Sequence, residues 1–238
     1  MQQTKTICII LICLLSATRS QGQVTQLGSY DKRPAHFGIQ LGITQSKFDF
    51  TASTDEDLGE LLHGATSYYM PGFLISVLAA DIRLGNFFSI RFLPGVMLTT
   101  RSLEYSWNQN TASSHIYEPY RNVESVYGEL PIELKYRALR WRNFRPYVTG
   151  GISYGFDFAS LRDNRNNTNE SIIRLSSKDL RYTTGVGLDF FLRYVKFAIE
   201  FKMGFGISDL KINDDDIHSQ IAKDLYSRTY TICFSFEG

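Results

Sequence analysis

Four histidines, His36, His63, His115 and His218, are the side chains best suited to proton transfer or metal ligation in this sequence, because imidazole titrates near neutrality and coordinates metals through either ring nitrogen. Their spacing supports neither role. His36 falls on the polar face at the start of an alternating stretch, and the other three fall in polar segments read as loops. No His-Glu-x-x-His, Cys-x-x-Cys or Gly-x-Ser-x-Gly arrangement occurs. Gly185-x-Gly187 and Gly204-x-Gly206 look like pieces of a phosphate-binding loop, yet both sit inside alternating stretches. There a missing side chain makes room for a bulky neighbour. Asp214-Asp215-Asp216, with Asn213 and His218 beside it, offers oxygen ligands but lacks the spaced pattern of a calcium loop; a solvated acidic loop is the simpler reading. No catalytic residue, cofactor site or metal site is assigned, and the chain is read as non-enzymatic.

The charged residues are the informative ones, because they recur at every second position. In Val195-Lys196-Phe197-Ala198-Ile199-Glu200-Phe201-Lys202-Met203-Gly204-Phe205 each odd position is large and apolar, and each even one is charged or small. This is the period-2 pattern of a strand whose faces meet different surroundings. About eleven residues suffice for a tilted strand to cross a bilayer. The same pattern recurs along the chain. In 35–48, Phe37, Ile39, Leu41 and Ile43 oppose His36, Gly38, Gln40, Gly42 and Thr44. In 87–103, Phe88, Ile90, Phe92, Val96 and Leu98 oppose Ser89, Arg91, Thr99 and Arg101, with an irregularity expected at Pro94. In 126–137, Val126, Leu130, Ile132 and Leu134 oppose Tyr127, Glu129, Glu133, Lys135 and Arg137. In 146–158, Val148, Ile152 and Tyr154 oppose Thr149, Ser153 and Asp157. In 181–190, Tyr182, Val186 and Leu188 oppose Arg181, Gly185 and Asp189. In 226–236, Tyr230, Ile232, Phe234 and Phe236 oppose Thr229, Thr231, Cys233 and Ser235. Residues 71–84 are apolar on both faces, so their parity is ambiguous.

These are eight candidate strands. Their first, third, fifth and seventh connections are long and polar; the second, fourth and sixth are short. Antiparallel strands joined this way gather every long loop at one end. That is the asymmetry of outer-membrane barrels, with long extracellular loops and short periplasmic turns. Both termini then lie on the periplasmic side. A soluble lipocalin-like binding barrel has the same strand number with its apolar face inward. The membrane reading is favoured because an eight-stranded barrel is just wide enough to be filled by side chains. Arg91, Arg101, Glu129, Glu133, Lys135, Asp157, Arg181, Asp189, Lys196, Glu200 and Lys202, together with glycines, fit that space as a network of compensating lumen charges. Aromatics from every strand would overfill it. Tyr120, Trp141, Tyr147, Tyr194 and Tyr226 lie at strand ends, as an interfacial girdle would.

The address agrees. Lys5, an apolar run over 6–15 and a small, polar exit through Gln23 describe a secretory signal peptide cleaved near Gly22. Its removal takes Cys8 and Cys13 with it, which leaves Cys233 alone and excludes an intramolecular disulfide. Residues 1–22 are therefore read as signal peptide, 23–34 as a periplasmic segment and 35–238 as an all-β, eight-stranded antiparallel transmembrane barrel in the cell outer membrane. With 238 residues and a formal net charge of +1, nothing in the charge balance calls for a nucleic-acid partner. Outer-membrane lipid is the expected surrounding, and no small-molecule substrate is expected.

Three stretches carry a family resemblance. Tyr30-Asp31-Lys32-Arg33-Pro34-Ala35-His36-Phe37-Gly38, continuing to Leu41-Gly42, resembles the N-terminal signature of PorT (SprT) proteins of the type IX secretion (Por) system of Bacteroidetes. Leu130-Pro131-Ile132-Glu133-Leu134-Lys135-Tyr136-Arg137, followed by Arg145-Pro146-Tyr147, is similar to the central motif of that family. Leu188-Asp189-Phe190-Phe191-Leu192-Arg193-Tyr194-Val195-Lys196-Phe197, with Glu200 and Lys202, is similar to the third. The resemblance implies a non-enzymatic outer-membrane barrel required for protein export, with other secretion-machinery components as partners and a link to gliding motility. Within it, Tyr30, Asp31, Arg33, Pro34, His36 and Phe37 form the expected periplasmic partner contact; the same segment could instead plug the barrel. A small structural or adhesive outer-membrane barrel with ligand-binding surface loops is the alternative.

Overall fold

The computed structural model describes residues 26–28, 30–52, 62–107, 120–158, 176–210 and 222–238. The signal segment, His115, His218 and the acidic run at 214–216 lie outside them. A single turn of 3-10 helix, Tyr30–Lys32, precedes ten strands: β1 (Ala35–Ala52), β2 (Leu62–Tyr68), β3 (Met70–Arg83), β4 (Phe88–Phe92), β5 (Gly95–Trp107), β6 (Tyr120–Arg137), β7 (Phe144–Asp157), β8 (Lys178–Phe191), β9 (Lys196–Gly206) and β10 (Ala222–Glu237). Tyr69 alone separates β2 from β3, and Leu93-Pro94 separates β4 from β5, so the ten strands make eight staves. Each stave is antiparallel to its neighbours, and β1 pairs with β10 from Gly38↔Glu237 to Ala52↔Ala222. That pairing closes the sheet, with β1 also laddered to β3 as far as Ser46↔Met70; beyond that point β2 pairs with β5 alone.

The apolar face points outward. Phe37, Ile39, Leu41 and Ile43 of β1 and Phe73, Ile75 and Val77 of β3 are all exposed, Phe73 by 61%, while the alternate residues are buried. This arrangement overturns the soluble lipocalin-like alternative, whose apolar face would turn inward. The staves run 11 residues or more, enough to cross a hydrocarbon core when tilted.

The ambiguous stretch at 71–84 is resolved by a bulge. His36 pairs with Asp81 and Gly38 with Leu78, so two steps on β1 match three on β3. On the other edge, Phe92 pairs with Ala80 and Gly95 with Ser76, three steps against four. The additional residue lies at Ala79-Ala80 and reverses the alternation. Leu74, Ser76 and Leu78 therefore face inward before it, and Asp81 faces inward after it. Pro94 does interrupt its stave, as its missing N–H requires, while its carbonyl accepts from the Val77 amide at 2.9 Å.

Several strands reach beyond their sequence limits. β1 continues to Ala52, and β2 occupies 62–68, which places His63 on a strand rather than in a loop. β5 continues to Trp107, β6 begins at Tyr120 and β10 at Ala222. The ladder persists there without apolar alternation, since backbone pairing such as Thr66↔Glu104 needs no apolar side chain. The short connections 84–87, 138–143 and 192–195 gather at the end that also carries Tyr30 and Glu237.

Candidate functional site

The barrel interior is a packed, charge-balanced column. Buried inward-facing cations are Arg91, Arg101, Lys135, Arg137, Arg145, Arg181, Lys196 and Lys202; buried carboxylates are Asp81, Glu129, Glu133, Asp157, Asp179, Asp189, Glu200 and Glu237. Eight face eight. Ions removed from water are tolerated only when well partnered; most of these groups meet in direct ion pairs, while Arg137 donates to the Phe88 carbonyl and Arg145 to Asp31.

The pairs fall into layers. Towards the long-loop end, Arg101 donates to Ser125 Oγ at 2.9 Å and to the Tyr127 hydroxyl, lies 3.9 Å from Asp157 and covers the Phe48 ring at 4.4 Å. Arg181 binds Glu129 and lies 3.6 Å from Asp179, and Asp179 accepts from Ser227 at 2.7 Å. At mid-height Leu74, Met97, Tyr127 and Cys233 make a small apolar cluster; Cys233 is a free, buried thiol. The cavity here is about 30 Å³, room for about one water molecule. Below it Arg91 bridges Glu133 at 2.7 Å and Glu200 at 2.9 Å. Lys202 lies 2.5 Å from Glu133, and Glu200 also accepts from Tyr147 at 2.8 Å. Lowest are Lys135, 2.9 Å from Asp189, and Lys196, 3.7 Å from Asp189 and paired with Glu237.

The segment before β1 closes this end. Tyr30 is buried, stacks on His36 at 3.7 Å and donates its hydroxyl to Glu237 at 2.7 Å. Burial raises its phenol above the ordinary range, so the hydroxyl remains a donor. His36 Nε2 lies 2.9 Å from the Tyr30 carbonyl. Asp31 is gripped by Arg145 at 2.9 Å, Arg140 at 3.3 Å and Arg83 at 3.4 Å. Partial burial pushes its carboxyl upward, but the guanidinium of Arg145, followed by Arg140 and Arg83, outweighs it and holds the pKa below the usual carboxylate value.

All eleven charges proposed from alternation lie on the inner face and are buried. Of the six proposed contact residues, Tyr30, Asp31 and His36 turn into the barrel end, Arg33 and Pro34 are exposed, and Phe37 joins the outer apolar band. The sequence reading leaves five buried charges out of the network: Asp81, Arg137, Arg145, Asp179 and Glu237, of which it places Arg137 alone on the polar face. Glu237 shares its parity with Cys233 and Ser235, and Asp179 with Arg181, so extending each alternation by one step finds both; Asp81 was hidden by the bulge. Tyr147 is corrected from girdle to lumen: it is 3% exposed and shares its parity with Thr149 and Ser153. Trp141 and Tyr194 are exposed by 66% and 80% at the short-turn rim. Among the described residues no group of histidine, cysteine and carboxylates could hold a metal ion.

No curated protein matches this chain. Among solved structures it is similar to Ail, the attachment invasion locus protein of Yersinia pestis, in complex with the heparin analogue sucrose octasulfate. The two are 12% identical over 87% of this chain and 100% of Ail, with a TM-score of 0.40. It is also similar to the outer membrane protein OprG of Pseudomonas aeruginosa, at 12% identity over 86% of this chain and 94% of OprG, with a TM-score of 0.38. The family described as outer membrane protein beta-barrel domain matches residues 20–211. Inner charge column, outer apolar band and family match converge: the chain belongs to the outer membrane protein beta-barrel domain family and resides in the outer membrane.

Proposed function

We propose that this barrel serves protein export by a type IX secretion machinery as a non-enzymatic component, working through its periplasmic end. The observation that carries the reading is a convergence. The three stretches that resemble the PorT family are far apart in sequence, yet each contributes to one cluster at the short-turn end. Tyr30 and His36 come from the first, Lys135 from the second, Asp189 and Lys196 from the third. Lys196 lies 5.0 Å from the centre of the Tyr30 ring and shares Asp189 with Lys135.

The filled lumen argues against a diffusion path through this chain, so its part in export is as a binding or assembly element, with other secretion components as partners. Within the N-terminal segment, Arg33 and Pro34 are the exposed members available to such a partner. Replacing Asp31 would undock the segment as well as alter the contact, so Arg33→Glu is the cleaner test. Secretion lost with a folded, membrane-inserted barrel supports the contact; normal secretion removes it. If a full deletion also leaves export intact, the small structural or adhesive barrel is the reading that stands.

A further inference from the structure

We propose that the short-turn rim holds an anionic glycerophospholipid of the periplasmic leaflet in a groove between the β6–β7 and β8–β9 turns. The groove measures about 470 Å³ and is lined by Gln26, Asn143, Phe144, Phe190, Leu192 and Arg193, with Phe191 at its inner wall. That volume lies within the range of about 300–1,000 Å³ typical of small-molecule sites. Its two ends differ in chemistry. Phe144 and Phe190 pair directly across β7 and β8 with the parity of Pro146, Val148, Val186 and Leu188, the outward apolar face. They therefore continue the lipid-facing band. Asn143 and Arg193 lie at the opposite end, on the turns, at headgroup height.

Charge selects the guest. Among the described residues no carboxylate lines the groove. Arg193 lines it and Arg142 precedes Asn143 on the adjoining turn, while the Asp31 carboxylate at this end already engages Arg83, Arg140 and Arg145. Arg142 and Arg193 are exposed and make no ion pair among the described residues. Arg142 also has a φ of 55°, a left-handed conformation that glycine adopts at no steric cost and arginine rarely does. The turn is fixed around it: Arg140 Nε donates to the Arg142 carbonyl at 2.7 Å, Asn143 Oδ1 accepts from the Gln26 amide at 2.9 Å, and the Asn143 carbonyl accepts from the Phe191 amide at 2.7 Å. Trp141 and Tyr194, the most exposed aromatics of this rim, anchor the turns at the depth where amphipathic rings settle. A preformed groove with an apolar floor, a cationic mouth and aromatic anchors matches an amphiphile carrying a phosphate.

The test uses the full mature barrel in bilayer nanodiscs of phosphatidylethanolamine with a minor fraction of phosphatidylglycerol, released into native mass spectrometry. The expected result is preferential retention of one phosphatidylglycerol. Arg193→Gln and Arg142→Gln should each weaken that retention by about fivefold, with the heat-modifiable gel mobility of the folded barrel unchanged. Retention without headgroup preference, or preference untouched in the double variant, overturns the proposal. Displacement by soluble glycerol phosphate at similar concentration also overturns it, assigning the site to a free phosphate instead of a lipid.

Discussion

Tyr30 donates its hydroxyl to Glu237 at 2.7 Å, joining the segment that enters the barrel to the strand that ends it. Because β1 and β10 are also the closing pair, this bond sits where the first and last staves meet. Glu237 thus belongs to both the lumen charge column, through Lys196, and the cap.

Tyr30→Phe removes one donor to a buried carboxylate and leaves the ring stacking in place. The expected loss is about 1.5–3 kcal/mol, the range for a hydrogen bond to a charged group. Urea unfolding in lipid vesicles, followed by tryptophan fluorescence, measures it.

Arg91→Met should be more damaging, because Glu133 and Glu200 would then share only Lys202. Breaking a buried ion pair by removing one partner typically destabilises by about 3–5 kcal/mol. Adding Glu200→Gln should recover part of that loss, since the two changes are coupled. Additive losses in the unfolding cycle would show that Arg91 and Glu200 do not interact.

Gly187 marks a close approach. A Cβ built there would overlap the Tyr147 ring and lie 2.8 Å from the Ile199 carbonyl oxygen. Gly187→Ala should therefore displace Tyr147 from Glu200 and destabilise the barrel by about 1–3 kcal/mol. Combining it with Tyr147→Ala should give less than the sum of the single effects. The same unfolding assay decides it.

The grip of the three arginines on Asp31 should be insensitive to pH across the neutral and mildly acid range. The Asp31 pKa is lower folded than the ordinary value near 3.8. Its contribution is therefore complete above the unfolded value and is lost only as pH falls through the depressed folded one. The difference in tryptic cleavage of the Lys32–Arg33 bond between wild type and Asp31→Asn should persist from pH 8 to about 5 and vanish only in strong acid, any titration of His36 being common to both chains. Asp31→Asn should be cleaved rapidly at neutral pH; slow cleavage of that variant would mean the three arginines do not hold the segment.

Much of this architecture is written in residue parity. The Lys196, Glu200 and Lys202 face was legible because alternation sorts lipid-facing from lumen-facing residues in a narrow barrel, and long and short connections fixed which strand ends share a side. Three things were not legible. The Ala79-Ala80 bulge inserts a residue with no side-chain signature, so Asp81 was hidden among apolar neighbours. The ladder beyond the apolar band, as in β2, leaves no hydrophobic pattern to read. The Asp31–Arg145 contact joins residues 114 apart, and no local spacing announces it.

The most direct measurement is a clean deletion in the source organism, complemented in trans, with comparison of proteins in the culture medium and periplasm. The predicted result is periplasmic retention of normally secreted proteins, restored by the wild-type chain but not by Arg33→Glu. Unchanged export in the deletion strain would contradict the secretion role and leave a small outer-membrane barrel with a different task.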